Sequence, residues 1–227
     1  MKLEVLADPR TVARRGAERV AAACRAAVAA RGRCAIAVSG GRTPWAMLRA
    51  LSGEDVPWRA VEIFQVDERI APDGDPERNL TQLRASLPPQ ARLVPMPVDG
   101  SDLEAAAGDY ARALARAAGA PPVLDLVHLG LGADGHTASL VPGDLALGVA
   151  DRDVALTGPY QGTRRMTLTY PALQRAREIL WLVTGADKAP VLPRLLEGDR
   201  TIPAGRVAGE RAFALADRAA AGLLERP

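Results

Sequence analysis

Residues that could perform acid–base chemistry concentrate in one stretch of the chain, 124–143, which reads LDLVHLGLGADGHTASLVPG. Asp134 and His136 lie there among glycines, directly after the apolar run 123–131. That run has the length and branching of a strand buried on both faces of a parallel sheet. Ligands of an open α/β sheet bind beyond the carboxyl ends of its strands. A carboxylate and an imidazole at this point are therefore candidate catalytic groups.

The same stretch contains a G-x-G-x-x-G pattern at 130–135, which is the fingerprint of a dinucleotide-binding turn. That fingerprint needs a long helix that begins at its third glycine, whereas Pro142-Gly143 interrupts the chain after about two turns. The side chains of Asp134 and His136 would also crowd the backbone that a pyrophosphate must approach. We therefore interpret the stretch as a catalytic loop and expect no dinucleotide cofactor.

A second candidate site follows the predicted strand 34–38. Glycines let backbone N–H groups approach a ligand, and a helix N-terminus carries about half a positive charge, so this turn predicts a cradle for an anion. Its members are Ser39, Gly40, Gly41, Arg42 and Thr43. The G-K-[ST] ending of a Walker loop and the G-x-S-x-G pattern of a serine nucleophile are both missing. A simple tight turn between strand and helix is the alternative.

Charged residues also follow the third predicted strand, 61–66, as Asp67-Glu68-Arg69. Alone, this cluster is equally compatible with a solvated strand end. Three strands that end in polar groups at one sheet edge favour a functional interpretation. Arg164, Arg165 and Lys188 add cations from the later half of the chain. Guanidinium and ammonium groups beside a glycine cradle indicate a phosphorylated small molecule.

The two histidines of the chain occupy unlike settings. His128 lies within an apolar run, which predicts a hydrogen-bonded core residue, whereas His136 follows the strand and is the candidate catalytic imidazole. Two separated histidines without a cysteine cluster do not form a zinc site, so no metal is expected.

Composition limits the function classes further. The 227 residues carry a net charge of +2 and are 48% hydrophobic, which is typical of a globular protein. So small a net charge, with acidic and basic residues mixed along the chain, does not indicate a nucleic-acid-binding protein. No apolar run reaches about 18 residues, so a membrane segment is not expected. Cys24 and Cys34 lack C-x-x-C spacing, which favours a reducing, cytoplasmic location.

Periodicity and turn signals predict alternating strands and helices along the whole chain. Extended segments are predicted at 3–6, 34–38, 61–66, 93–98, 123–131, 154–157, 166–170, 179–184 and 211–215, and helices at 9–31, 43–52, 79–86, 102–118, 187–197 and 216–224. No linker or repeat divides the chain. We expect one doubly wound α/β domain over 1–227, with a mostly parallel sheet and helices on both faces.

Several segments, taken together and in order, resemble the soluble bacterial 6-phosphogluconolactonases of the glucosamine-6-phosphate isomerase/6-phosphogluconolactonase family. They are SGGRTP at 39–44, VDER at 66–69, Asn79, LGLGADGHTASLVPG at 129–143, RMTLT at 165–169 and TGADK at 184–188. The resemblance implies a doubly wound fold and the hydrolysis of 6-phospho-D-glucono-1,5-lactone to 6-phospho-D-gluconate in the oxidative pentose phosphate pathway. It implies no cofactor. Oligomeric state stays open, with a monomer favoured.

The resemblance and the charges together suggest roles for individual residues. His136 takes a proton from water, and either Asp134 or Asp67 orients it or holds the sugar hydroxyls. Arg69 stabilises the charge on the carbonyl oxygen or positions the substrate. Candidate substrate- and phosphate-binding residues are Ser39, Gly40, Gly41, Arg42, Thr43, Asn79, Arg165 and Lys188.

Two alternatives accompany this interpretation. The deaminase branch of the family carries D-E-Y after its third strand and a glutamate five residues after the loop histidine, where this chain has Arg69 and Val141. Valine cannot shuttle a proton, so the sequence disfavours an isomerase or deaminase. A phosphosugar-sensing domain without turnover is the second alternative, which tight binding without hydrolysis would indicate.

Overall fold

The computed structural model describes residues 1–224, and strands and helices alternate within them. The strands are β1 (Lys2–Leu6), β2 (Cys34–Val38), β3 (Val61–Gln65), β4 (Asp67–Arg69), β5 (Arg92–Val94), β6 (Leu126–Gly130), β7 (Val154–Leu156), β8 (Arg165–Leu168), β9 (Ile179–Val183) and β10 (Ala212–Asp217). The helices are α1 (Pro9–Arg31), α2 (Arg42–Leu51), α3 (Asn79–Ser86), α4 (Leu103–Ala118), α5 (Tyr170–Gln174) and α6 (Leu192–Glu197).

Helix α1 shows how local sequence fixes an element. The Asp8 carboxylate accepts the N–H of Thr11 at 2.8 Å, and Pro9 occupies the first turn, where its missing N–H costs nothing. Gly32 ends the helix in the left-handed region, with φ of 71°, and its N–H donates to the carbonyl of Val28. Both ends agree with the prediction.

The main sheet contains seven parallel strands in the order β1-β10-β9-β6-β2-β3-β5. From β2 the chain builds outward through β3 and β5, and then returns to place β6 on the other side of β2. The strand order therefore reverses between β2 and β6, and ligands bind at the carboxyl ends of strands beside such a switch point. The predicted fold class is confirmed.

Side chains alternate between two hydrophobic layers on the faces of this sheet. In β2, Ile36 and Val38 pack in the layer that contains α1 and α2, while Ala35 and Ala37 pack in the layer that contains α4 and β8. Both faces are buried, which explains why the central strands are apolar without alternation.

A second sheet of three antiparallel strands, in the order β4-β8-β7, was not predicted. The residues 67–69 form its strand β4 rather than a loop after the third strand. The two sheets join at Val66, whose N–H donates to the carbonyl of Val38 in the main sheet and whose carbonyl accepts the N–H of Leu168 in the small one. The predicted strands 154–157 and 166–170 are confirmed as β7 and β8, although they lie outside the parallel sheet.

Two predicted helices near the C-terminus differ in the structure. Strand β10 continues to Asp217 and turns follow it, so the helix predicted at 216–224 is wrong. Asp217 is buried, and its carboxylate accepts the N–H groups of Gly185 and Ala220, which holds the chain in a turn. The helix predicted at 187–197 divides into a 3-10 turn, Ala186–Lys188, and α6, because a proline opens the first turn of α6.

In the part of the chain that the structure describes, none of the helices is long and apolar enough to cross a membrane.

Candidate active site

A cavity of about 280 Å³ opens at the carboxyl ends of β2, β3 and β6, beside the switch point. Nearly all of the predicted chemistry converges on it. The predicted residues that line it are Ser39, Gly40, Gly41, Asp67, Arg69, Asn79, His136, Arg165 and Lys188. Further lining residues, which were not predicted as site residues, are Trp45, Gly130, Leu131, Gly132 and Ala138.

His136 and Asp134 form a hydrogen-bonded pair at one wall of this cavity. The imidazole Nδ1 lies 2.6 Å from Asp134 Oδ1, which also accepts the backbone N–H of His136 at 3.1 Å. Because a carboxylate accepts, Nδ1 carries the proton and Nε2 carries the lone pair. Nε2 has no hydrogen-bond partner among residues 1–224, so it is the nitrogen able to accept a proton from a bound molecule.

The loop that presents His136 depends on two glycines. Gly135 adopts φ of 83°, which permits the turn after Asp134, and its N–H donates to the carbonyl of Gly132 at 3.0 Å. Gly132 passes so close to the imidazole that a Cβ there would lie 2.1 Å from His136 Nδ1. These glycines therefore set the position of the imidazole.

The charge of Asp134 is stabilised by its hydrogen bonds. Burial raises the pKa of Asp134, but donors from the backbone and imidazole of His136 and from the Tyr160 hydroxyl outweigh that effect and bring the pKa below its ordinary value. The group is thus a carboxylate at neutral pH, as the orienting partner of a base requires.

Asp67, the alternative partner for the imidazole, has a different environment. Its carboxylate accepts the Ser139 hydroxyl at 2.5 Å and the Asn79 side-chain amide at 3.4 Å, and it makes no hydrogen bond to His136. Asn79 also donates to the Asp67 carbonyl at 3.0 Å and lies against Gly40, where a Cβ would come within 2.0 Å of its Oδ1. The hydrogen bonds therefore pair Asp134 with His136, whereas Asp67 is bonded to Ser139 and Asn79.

Glu68 organises the wall of the cavity that contains Arg69 and Asn79, although its position in the sequence predicted no separate role for it. One oxygen of its fully buried carboxylate accepts the N–H groups of Arg69 and Asn79, and the other accepts the N–H of Leu80 and the Gln65 side chain. The carboxylate thus caps the N-terminus of α3 and fixes two cavity residues at once. Two of these contacts cross the loop between β4 and α3, whose course the sequence pattern did not predict.

The cationic side chains of the cavity differ in how they are paired. Arg69 Nη1 donates to the Glu77 carboxylate at 2.7 Å, and Lys188 Nζ lies 2.8 Å from Asp187. Arg165 is only 7% exposed, yet its side chain makes no hydrogen bond or ion pair with residues 1–224. Burial lowers the pKa of Arg165, and the nearby Asp67 partly opposes this. A buried guanidinium that lines a cavity without an acceptor indicates an anionic ligand.

Three predicted site residues do not line the cavity. Asp134 lies behind the imidazole, Arg42 is exposed at the start of α2, and the Thr43 hydroxyl is 2.7 Å from that of Thr184. His128 is a buried core residue, as predicted; its Nδ1 accepts the N–H of Ser39. Within residues 1–224, no group of three or more metal-ligating side chains is arranged around an ion site.

Comparison with known proteins fits this geometry. Residues 7–215 match the family model described as glucosamine-6-phosphate isomerases/6-phosphogluconolactonase. The chain belongs to this family. Among its members, the 6-phosphogluconolactonase of Mycobacterium tuberculosis is 37% identical, with 98% of each chain covered. That of Synechocystis is 40% identical over 73% of this chain and 72% of its own.

Solved structures of the family share the fold. The 6-phosphogluconolactonase of Trypanosoma brucei superposes with a TM-score of 0.86 at 26% identity, covering 99% of this chain and 98% of its own. That of Shewanella baltica gives 0.85 at 26% identity, covering 96% and 97%. A monomeric glucosamine-6-phosphate deaminase gives 0.82 at 19% identity, covering 98% and 100%, which shows the common fold alone.

Proposed function

We propose that this family member hydrolyses 6-phospho-D-glucono-1,5-lactone to 6-phospho-D-gluconate, a step of the oxidative pentose phosphate pathway. One observation carries the proposal: the His136 imidazole, bonded to Asp134, and the unpaired Arg165 guanidinium line the same cavity. A base able to activate water and a buried cation in the same cavity suit an ester that also bears a phosphate. The relatives named 6-phosphogluconolactonase support the same reaction.

In this mechanism, His136 Nε2 accepts a proton from a water molecule as the water oxygen attacks the lactone carbonyl. Asp134 accepts the hydrogen bond from the Nδ1–H group of His136 and stabilises the imidazolium that forms. The proton then passes from Nε2 to the ring oxygen as the bond between that oxygen and the carbonyl carbon breaks, which opens the lactone. General base catalysis of this kind contributes about 10²–10⁴-fold.

The remaining residues bind the substrate and stabilise charge. The backbone amides of Gly40 and Gly41 at the N-terminus of α2, together with Arg165 and Lys188, bind the phosphate. Arg69 stabilises the negative charge that grows on the carbonyl oxygen. Ser39 and Asn79 shape the part of the cavity that holds the sugar, and Asp67 accepts hydrogen bonds from the sugar hydroxyls. Arg42 and Thr43 lie in the first turn of α2 and help to position its N-terminal amides.

A deaminase reaction would lack its additional acid–base group in this site. Val141, which stands where the deaminase branch has a glutamate, is buried and does not line the cavity. Opening and isomerising an amino sugar needs an acid–base group there, whereas lactone hydrolysis does not.

The deciding experiment measures acid release from freshly prepared 6-phospho-D-glucono-1,5-lactone. We expect rapid hydrolysis above the spontaneous rate, much weaker hydrolysis of unphosphorylated glucono-1,5-lactone, and no ammonia from glucosamine 6-phosphate. Decay of the phosphorylated lactone at its spontaneous rate, with tight binding of 6-phosphogluconate, would instead identify a phosphosugar-sensing domain.

We also propose that residues 1–227 act as one domain and as a monomer, because the groups that surround the cavity come from both sheets of one chain. The two free, buried cysteines, Cys24 and Cys34, support a cytoplasmic location.

A further inference from the structure

Tyr160 lies at the tip of the connection between β7 and β8. The backbones of Tyr160 and Thr163 exchange hydrogen bonds of 3.1 and 3.3 Å, and the two residues between them, Gln161 and Gly162, have φ of 52° and 81°. Two central residues with positive φ are typical of the tight turn that joins antiparallel strands. The turn holds the tyrosine beside the catalytic loop.

Three separate contacts join the Tyr160 side chain to the candidate active site. Its hydroxyl donates to Asp134 Oδ2 at 3.2 Å. Its ring meets the His136 imidazole edge to face, with centroids 5.5 Å apart. The guanidinium carbon of Arg165 lies 5.2 Å from the ring centroid. One aromatic side chain thus contacts the base, its carboxylate and the unpaired cation.

We propose that Tyr160 is a positioning residue for the reaction, acting through Asp134 and Arg165 rather than by touching substrate. The inference rests on the proposed function, because it assigns Tyr160 to the base and the phosphate-binding cation of that reaction. Burial and the adjacent Asp134 raise the pKa of Tyr160, so its hydroxyl stays protonated as a donor.

The need for such a residue follows from how Asp134 is held. Oδ1 receives both donors of His136, whereas Oδ2 receives only the Tyr160 hydroxyl among residues 1–224. The Asp134 side chain is 38% exposed, so without that bond water competes for it. The terminal torsion of aspartate is soft, and a second anchor restricts it. A base that is held in the productive orientation contributes more to the rate than the same base when it is free to turn.

The hydroxyl and the ring of Tyr160 can be removed separately. We expect Tyr160→Phe to lower kcat by about three- to tenfold, with KM changed by less than about twofold, because only the bond to Asp134 is lost. Tyr160→Leu also removes the face that packs on Arg165, so KM for the phosphorylated lactone should rise by about threefold or more. Tyr170→Phe is the matched control, since it removes a hydroxyl bonded to the Pro203 carbonyl at the same 3.2 Å.

A double-mutant cycle with Asp134→Ala tests the route of action. If the hydroxyl acts through Asp134, Tyr160→Phe should have no further effect on kcat in the Asp134→Ala background. An equal loss in both backgrounds would overturn the proposal, as would equal kinetic losses in the Phe and Leu variants. A merely structural role predicts such equal losses together with a lower melting temperature.

A readout that needs no turnover separates this inference from the proposed function. The chain has only two histidines, so the NMR resonance of the His136 Nδ1–H is identified by its disappearance in His136→Ala. We expect that resonance to broaden through solvent exchange in Tyr160→Phe and to stay sharp in Tyr170→Phe. An unchanged resonance in Tyr160→Phe would refute the positioning role, whereas a wild-type protein without lactonase activity would refute only the proposed function.

Discussion

Arg165 lies directly opposite Arg69 in the antiparallel pairing of β8 with β4, so two guanidinium groups share one wall of the cavity. Glu77 pairs with Arg69, but no acidic side chain among residues 1–224 pairs with Arg165. Burying a charge without a partner is costly, and a like charge beside it adds to the cost. The fold therefore carries a local instability that an anionic ligand would relieve.

Replacing Arg165 with an apolar residue should stabilise the folded protein and weaken substrate binding. We expect Arg165→Met to raise the free energy of unfolding by about 1–3 kcal/mol, because an apolar side chain of similar length removes the unpaired buried charge. KM for the phosphorylated lactone should rise by about tenfold or more while kcat changes less. Urea denaturation and steady-state kinetics measure both effects. Arg164→Met is the control, since Arg164 is exposed and lies outside the cavity. The same change of KM in both variants would contradict the role of Arg165 in phosphate binding.

Removing the imidazole of His136 should abolish most catalysis without unfolding the protein. We expect His136→Ala to lower kcat by at least about 100-fold, with KM nearly unchanged, because the side chain acts as a base rather than as a binding group. The imidazole is partly exposed, so the melting temperature should stay close to that of the wild type. Near-wild-type turnover in this variant would exclude His136 as the base.

Much of the fold was predictable because its signals are local. The Asp8 cap and the Gly32 end of α1 lie within the helix's own sequence, and the apolar strands of a parallel sheet are recognisable individually. The small antiparallel sheet was not predictable, because β4 has three residues and its partners lie far along the chain. The helix predicted at 216–224 is absent because β10 continues to Asp217, whose buried carboxylate accepts the N–H of the distant Gly185 as well as that of the nearby Ala220.

The candidate site shows the same division. His136 and Asp67 were candidates because each follows a predicted strand, and parallel strands end at one edge. Lys188 was a candidate because of its charge and the family resemblance, and all three residues line the cavity. The choice between Asp134 and Asp67 as the partner of the imidazole required the three-dimensional structure, since both carboxylates follow strands. Tyr160 gave no signal, because its role arises from a turn that brings it beside a loop formed earlier in the chain.

A methyl group at Gly132 should displace the imidazole while leaving the fold in place. The added Cβ of Gly132→Ala would lie 2.1 Å from His136 Nδ1. The His136 imidazole is partly exposed, so it can shift toward solvent to make room. Because a displacement of about 1 Å costs about 100-fold in rate, we expect a loss of kcat of that order with little change in melting temperature. Gly148→Ala is the matched control, since its Cβ would meet no atom within 4 Å. Equal activities of the two variants would show that the imidazole position does not limit the reaction.

His128 should make the protein sensitive to mild acid. Burial lowers the pKa of His128 from 6.5 to about 3, so the unfolded chain binds a proton below pH 6.5 that the folded protein does not bind until about pH 3. The contribution of His128 to stability is therefore fully present above pH 6.5 and falls as the pH decreases through this window. From pH 7 to pH 5 this single group should remove about 2 kcal/mol of unfolding free energy.

Urea denaturation of the wild type and of His128→Asn at several pH values isolates that contribution. The asparagine oxygen can still accept the N–H of Ser39, which His128 Nδ1 accepts at 3.3 Å, so the local backbone keeps its hydrogen bond. The unfolding free energies of the two proteins should converge as the pH falls from 7 to 5, because only the wild type loses the histidine contribution. Parallel curves over this range would mean that His128 titrates alike in the folded and unfolded states, and would contradict the lowered pKa that burial in the core implies.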